Sequence, residues 1–308
     1  MSTSIGIKSG QILYRIFFFM LLMTLMKLTA HSQQTPPLKV LLVGNSFSQN
    51  ASRYLPQIAA EKGRQIIFGH AEPGGCSLQR HWDSVAAYLQ DTARGKLYGG
   101  KSLMTLLQQE KWDVVTIQQY SLLSGDSNTY EPYAKKLFDF IKKVRPGAEV
   151  LVHQTWAYRA DAVNFGKIDG EKRATSQQQM WQNSRAAYHT LARKLGLRII
   201  PSGDAFYAAS VDSQWGFKKD IKFNADTAKI PALPDQHNAL NIGYAWNKEG
   251  KLNFDPNHAN EAGCYLAGLV WYAILFNESP VGIKFHPATV SDQWASFLQQ
   301  TAWKAVQK

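Results

Sequence analysis

Apolar positions along this chain follow two alternating rhythms. Leu38–Val43 is apolar except for Lys39, a density that fits a strand buried on both faces. Gln65–Ala71, Trp112–Gln118, Glu149–His153 and Leu197–Pro201 repeat that pattern and predict four more strands. Between them the apolar spacing changes to the helical period. Tyr54, Leu55, Ile58 and Ala59 form one stripe, closed by Gly63. Ser77 caps a helix running to Leu89, and Leu103–Gln109 is a short helix. Pro132–Val144 places Leu137, Phe138, Ile141 and Val144 on one face, and Gln177–Leu195 is a long helix ended by Gly196. Helical spacing resumes at Glu261–Phe276 and Val290–Val306.

Strands separated by helices at this interval predict βαβ units. The expected fold is α/β: a three-layer α/β/α sandwich around a five-stranded parallel sheet. Right-handed crossovers favour the flavodoxin-like order 2-1-3-4-5. Val211–Leu252 breaks the rhythm with a polar, aromatic stretch that holds Trp215, Phe217, Phe223, Tyr244 and Trp246. An irregular segment of that length is expected to serve function, here as an insertion walling a cleft over residues 211–252.

The N-terminus reads separately. Lys8 and Arg15 precede the apolar run Ile16–Met26, and Ala30-His31-Ser32 supplies small residues at a cleavage position. This is the layout of a secretory signal over residues 1–32, which leaves 33–308 as a single domain. An uncleaved anchor is the alternative, although the run falls short of the roughly 20 residues of a comfortable span. The expected location is exported, periplasmic or extracellular, without stable membrane association. Losing Lys8, Arg15 and Lys27 lowers the net charge from +11 to +8. That excess suits either an acidic polymer substrate or a generally basic surface. No zinc-knuckle spacing, RNA-binding aromatic motif or dense basic arm accompanies it, so nucleic acid is not an expected partner. Export permits a disulfide between Cys76 and Cys264, but both lie in core-forming stretches and read as free buried thiols.

Gly44-Asn45-Ser46 ends the first strand and opens a helix. A serine there stands at the carboxyl end of a buried strand, facing the free N–H groups of the helix start. It is either a displayed nucleophile or a simple helix cap. A serine nucleophile needs a base, and Asp255-Pro256-Asn257-His258 supplies one in a proline-restrained turn before the last long helices. A carboxylate three residues ahead of an imidazole can hold its Nδ1–H and leave Nε2 free to take the serine proton. Asp235-Gln236-His237-Asn238 also pairs acid with histidine, and His237 is assigned to the cleft wall or to substrate contact. The chain has no phosphate-loop lysine, no G-x-S-x-G elbow, no HExxH and no cysteine pair at zinc spacing, so neither metal nor organic cofactor is expected.

Gly44-Asn45-Ser46 early and Asp255-x-x-His258 late resemble the SGNH (GDSL-like) hydrolase superfamily. The blocks Gly-Gly-Cys-Ser-Leu-x-x-His-Trp, His-Gln-Thr-Trp-Ala-Tyr and Asp-Pro-Asn-His-Ala-Asn-Glu-Ala-Gly narrow the resemblance to a secreted bacterial branch described as a domain of unknown function. The resemblance implies Ser46 as nucleophile, His258 as base and Asp255 as its orienter. It implies oxyanion donors at the Ser46 amide and in Gly74-Gly75, of which Gly75 directly precedes the next helix. The superfamily's third donor is an asparagine at the end of the third strand. Here that run is Thr116-Ile117-Gln118-Gln119-Tyr120-Ser121, so Gln118, then Gln119, is the expected substitute. Trp156 and Tyr158, after the fourth strand, either stack on a sugar ring or close the core. The expected activity is hydrolysis of an ester, O-acetyl by preference, on a small or polymeric carbohydrate. A lipid or thioester hydrolase of the same fold and a non-catalytic glycan-binding protein are the alternatives.

Overall fold

The computed structural model describes residues 36–307; the expected signal segment lies outside the described residues. Strand β1 (Leu38–Val43) forms the centre of the molecule, and its side chains alternate between two cores. Val40 and Leu42 enter one apolar cluster, Leu41 and Val43 the other. That split explains why the run reads as apolar nearly throughout: both faces of the sheet are covered. Each of these side chains is almost wholly buried, which contributes roughly 1.5–3 kcal/mol apiece relative to exposure.

Around β1 lie β2 (Ile66–Ala71), β3 (Val114–Ile117), β4 (Glu149–His153) and, at the far edge, a strand over Arg198–Ile200. A two-stranded ribbon, β5 (Lys167–Asp169) and β6 (Lys172–Arg173), intervenes in the chain, so the fifth sheet strand is β7. All neighbours are parallel and the order is β2-β1-β3-β4-β7, the expected 2-1-3-4-5. The α/β/α sandwich anticipated from the spacing is present, and the chain from Pro37 onward forms one compact unit.

One face of the sheet carries α1 (Ser46–Ser52), α2 (Leu55–Ala60), α7 (Ser202–Ser210), α8 (Glu261–Phe276) and α9 (Asp292–Val306). The other carries α3 (Leu78–Gln90), α4 (Leu103–Gln109), α5 (Tyr133–Val144) and α6 (Gln177–Leu195). Helix α8 is apolar on all sides because it is enclosed on all sides: every residue from Ala262 to Ala273 is buried. Its Gly268 lies against α2, where an added Cβ would meet Ile58 Cδ1 at 3.0 Å. Among the described residues no helix is long and apolar enough to cross a membrane.

The expected irregular segment is only partly irregular. It contains β8 (Asn241–Trp246), which pairs antiparallel with β9 (Leu252–Ala259). Asp255 to His258, expected in a turn before a helix, lie within β9. The register shifts between Asn241, opposite Ala259, and Gly243, opposite Asp255, so Pro256 to His258 bulge from the ladder. The proline fits because it sits in that bulge.

Candidate active site

The serine turn is fixed by small residues and buried amides. Gly44 accepts no larger side chain: a Cβ there would meet Ser48 Oγ at 2.4 Å and the Gln118 side chain at 2.9 Å. Its N–H donates to Ala71 O (3.1 Å), and its carbonyl accepts from His81 Nε2 (3.0 Å). Asn45 caps α1 by accepting from Phe47 N (3.1 Å) at Oδ1. The same Oδ1 accepts from Gln118 Nε2 (2.7 Å), and Asn45 Nδ2 donates to Cys76 O (3.0 Å). One side chain thus joins the ends of β1 and β3 to the loop after β2. Ser46 follows as the first residue of α1.

Ser46 Oγ lies 2.9 Å from His258 Nε2, and His258 Nδ1 lies 2.7 Å from Asp255 Oδ2. Asp255 Oδ1 also accepts from the backbone N–H groups of Asn257 and His258, each at 3.0 Å. The carboxylate therefore holds both the ring and the backbone of the histidine. The hydrogen bond from Asp255 holds the His258 pKa above the usual imidazole value, against partial burial. Burial pushes Asp255 upward, but the hydrogen bonds and charge of His258 outweigh it and hold Asp255 below the usual carboxylate range.

The β9 bulge is tied down through its carbonyls. Asn257 O accepts from Trp156 Nε1 (2.9 Å) and Asn241 Nδ2 (3.2 Å), and Pro256 O accepts from Arg159 N (2.9 Å). Ala259 N donates to Asn50 Oδ1 on α1 at 3.1 Å. The Arg159 guanidinium, buried, forms two bonds to Asp161 (2.7 and 2.8 Å) and one to Gln236 (2.7 Å). It lies over the rings of Phe217 (4.5 Å) and Phe254 (5.2 Å). Gly243, at φ +71°, passes so close that a Cβ would fall 1.9 Å from Arg159 Nη1.

Several expected site residues take other roles. Gln118 is held in the interior by three buried partners. One of its two Nε2 N–H groups donates to Asn45, while its Oε1 accepts from Ser48 Oγ and His153 Nδ1 (2.8 Å). Gln119 is equally committed: Oε1 accepts from Leu78 N (3.0 Å) and Tyr120 N (2.8 Å), and Nε2 donates to Thr129. Both glutamines are buried, and their amides replace water as partners. Trp156 presents no face to a sugar, because it is enclosed between Phe47 (4.4 Å) and Phe206 (4.3 Å). Tyr158 is buried with its hydroxyl 3.2 Å from Ser121 Oγ, and burial pushes it up to about 12. His237 is exposed and lines an open cleft of about 640 Å³ with Trp215, Asn260, Glu261 and Trp294, a cleft that neither Ser46 nor His258 walls.

Gly75 sits at φ +60°, a backbone conformation that favours glycine. Among the described residues, its N–H and that of Ser46 have no hydrogen-bond partner. Cys76 and Cys264 are unpaired and buried, and burial pushes the thiols up to about 12 and about 11. Among the described residues no group of three or more His, Cys, Asp or Glu side chains is placed to hold a metal.

Sequence reasoning overlooked Asn45, His81, His153 and Arg159 as supports. His81 and His153 stand in quoted motif blocks, which was the available signal. Both are fully buried, and burial lowers them to about 4 and about 3, so they serve as neutral hydrogen-bonding rings.

Several solved structures are similar to this chain. A DUF4886 family protein from Bacteroides uniformis ATCC 8492 superposes with a TM-score of 0.65 at 24% identity, covering 88% of this chain and 95% of that one. A Slackia heliotrinireducens protein provisionally assigned as an SGNH hydrolase gives 0.46 at 20% identity, covering 78% and 99%. A member of the lipolytic G-D-S-L family from Veillonella parvula DSM 2008 gives 0.42 at 13% identity, covering 78% and 99%. No protein of curated function matches the chain. The model of the domain of unknown function DUF4886 matches residues 39–231, more than half of the sequence, and this protein belongs to that family.

Proposed function

We propose that this protein is a serine esterase of the SGNH type. One observation carries the reading: Ser46, His258 and Asp255 form a continuous relay of 2.9 and 2.7 Å at the carboxyl edge of the parallel sheet. Ser46 Oγ attacks the ester carbonyl, and His258 Nε2 takes its proton. Asp255 keeps the Nδ1–H tautomer and stabilises the imidazolium that forms. The unpartnered N–H groups of Ser46 and Gly75 meet the oxyanion. His258 returns the proton to the leaving alcohol, and water repeats the sequence on the acyl-enzyme.

The substrate we infer is an O-acetyl ester on a carbohydrate. The open cleft of about 640 Å³ supports this: it begins at Asn260, two residues past His258, and is lined by the polar side chains of His237, Asn238, Glu261 and Gln293. A lining rich in hydrogen-bonding side chains suits sugar hydroxyls better than acyl chains. The leader-like residues 1–32 suit an extracellular glycan.

Fluorophosphonate labelling tests the reading directly. Stoichiometric labelling that disappears in Ser46→Ala and His258→Ala is expected. A folded wild type that stays unlabelled would overturn the esterase reading in favour of a glycan-binding protein. Release of acetate from acetylated oligosaccharides tests the substrate, and turnover restricted to fatty esters would exclude it.

A further inference from the structure

We propose that the Tyr120 hydroxyl is the third oxyanion donor of this site, the place expected for Gln118 or Gln119. The inference rests on the esterase reading above and adds a catalytic residue to it. Both glutamine amides are buried: that of Gln119 is fully engaged, and that of Gln118 is fixed by Asn45, Ser48 and His153. Neither can turn toward the serine without leaving buried partners unpaired, a loss of one to several hydrogen bonds in a dry environment.

Tyr120 comes next in the chain, where β3 has ended and the backbone turns outward at φ −59°, ψ 131°. Its backbone is pinned at both ends: its N–H donates to Gln119 Oε1, and its carbonyl accepts from Leu123 N, both at 2.8 Å. The side chain is half-buried, and its hydroxyl has no hydrogen-bond partner among the described residues. The ring leans on Gly75. A Cβ added there would sit 3.7 Å from Tyr120 Cζ, 3.8 Å from Cε2 and 3.9 Å from the hydroxyl oxygen. The hydroxyl end of the ring, rather than its root, therefore borders the glycine whose N–H is the second donor. The engaged glutamines hold that position from below, because Gln119 Oε1 fixes both Leu78 N, at the start of α3, and Tyr120 N.

A phenol suits this task. Its O–H forms short, strong bonds to an anionic oxygen and rotates to follow it. The proton stays on Tyr120: it is shared with the oxyanion as Ser46 attacks and released from that bond as the carbonyl re-forms. No bond to Tyr120 is made or broken.

The test is Tyr120→Phe, which keeps the ring against Gly75 and removes only the donor. With p-nitrophenyl acetate we expect kcat to fall about 10²–10³-fold, with KM within about twofold, the size of effect seen on deleting one such donor. The rate of fluorophosphonate labelling should fall in parallel while Tm stays unchanged. Active wild type beside a Tyr120→Phe variant within about twofold in kcat overturns the inference and leaves the esterase reading standing. A loss of kcat accompanied by an equal loss in Tm or a matching rise in KM overturns it too, since that pattern marks a structural or binding role. Wild type inert toward both reagents overturns the esterase reading, and this inference with it.

Discussion

The two halves of the candidate site are built in opposite ways. The serine half is interior and uncharged: Asn45, Gln118, Ser48, His153 and Ser202 form one buried chain of hydrogen bonds at the ends of central strands. The base half is peripheral and charged. Asp255 and His258 are each about one-third exposed, on a two-stranded ribbon outside the main sheet. It is held by backbone carbonyls and by a buried arginine among aromatic rings. A position set by strand ends needs only neutral amides to refine it. A position set by a ribbon needs an anchor strong enough to replace the missing sheet, and Arg159 with Asp161 provides it.

The largest effect should come from the charged half. His258→Ala is expected to lower kcat by about 10⁴-fold or more, since members of such a unit fail together. Its unfolding temperature should barely change, because the side chain is about one-third exposed and lies outside both cores. Asp255→Asn should cost about 10⁴-fold by losing control of the tautomer. The pH profile adds a signed test. Activity needs neutral His258, so kcat/KM falls as pH drops through a pKa that Asp255 holds above about 6.5. Removing the carboxylate's charge should move that limb to lower pH. A limb that stays in place would detach the titration from this pair.

Arg159→Met probes the anchor. It leaves Asp161 buried without its partner, a change expected to cost about 3–5 kcal/mol. That is a fall of roughly 10 °C in unfolding temperature for a chain of this size. Turnover should fall as well, because the β9 bulge loses its support. A thermal loss with full kcat would show that the ribbon locates His258 by its carbonyl bonds alone.

Gln118→Leu probes the neutral half and should have the smallest effect of these. It deprives Ser48 and His153 of their acceptor and should cost about 2–4 kcal/mol, read as a lowered Tm. A wild-type Tm with a hundredfold lower kcat would instead return Gln118 to the donor role expected from its position.

The same contrast explains what was legible in the sequence. The serine half follows from local pattern: an apolar run, a glycine, an N-cap and a helix announce themselves within ten residues. Strand order followed from the βαβ rhythm and the handedness of crossovers. Asp255 and His258 were legible as a spacing, but their setting was not. Nothing local tells that Asn241–Trp246 will pair with a strand containing a proline, because Gly243 is required by Arg159, distant in sequence. Trp156 and the two glutamines could not be placed from the sequence for a related reason. Residues at a strand's carboxyl end face either the cleft or the interior, and packing decides which. Phe47 and Phe206 claim the indole, and Asn45 claims the amide.

Ser46 and His258 are 212 residues apart in the chain, and the enclosed helix α8 follows the histidine. On the proposed reading, the nucleophile emerges long before its base during synthesis from the N-terminus. A nascent chain that has reached β7 would carry a serine with ordinary alcohol reactivity. It would become reactive only when the last part of the chain packs against α1 and α2 and shuts the second core. Chemical competence would then double as a record of completed folding: a chain that stops early or is clipped late would lose its reactivity with its closing segment.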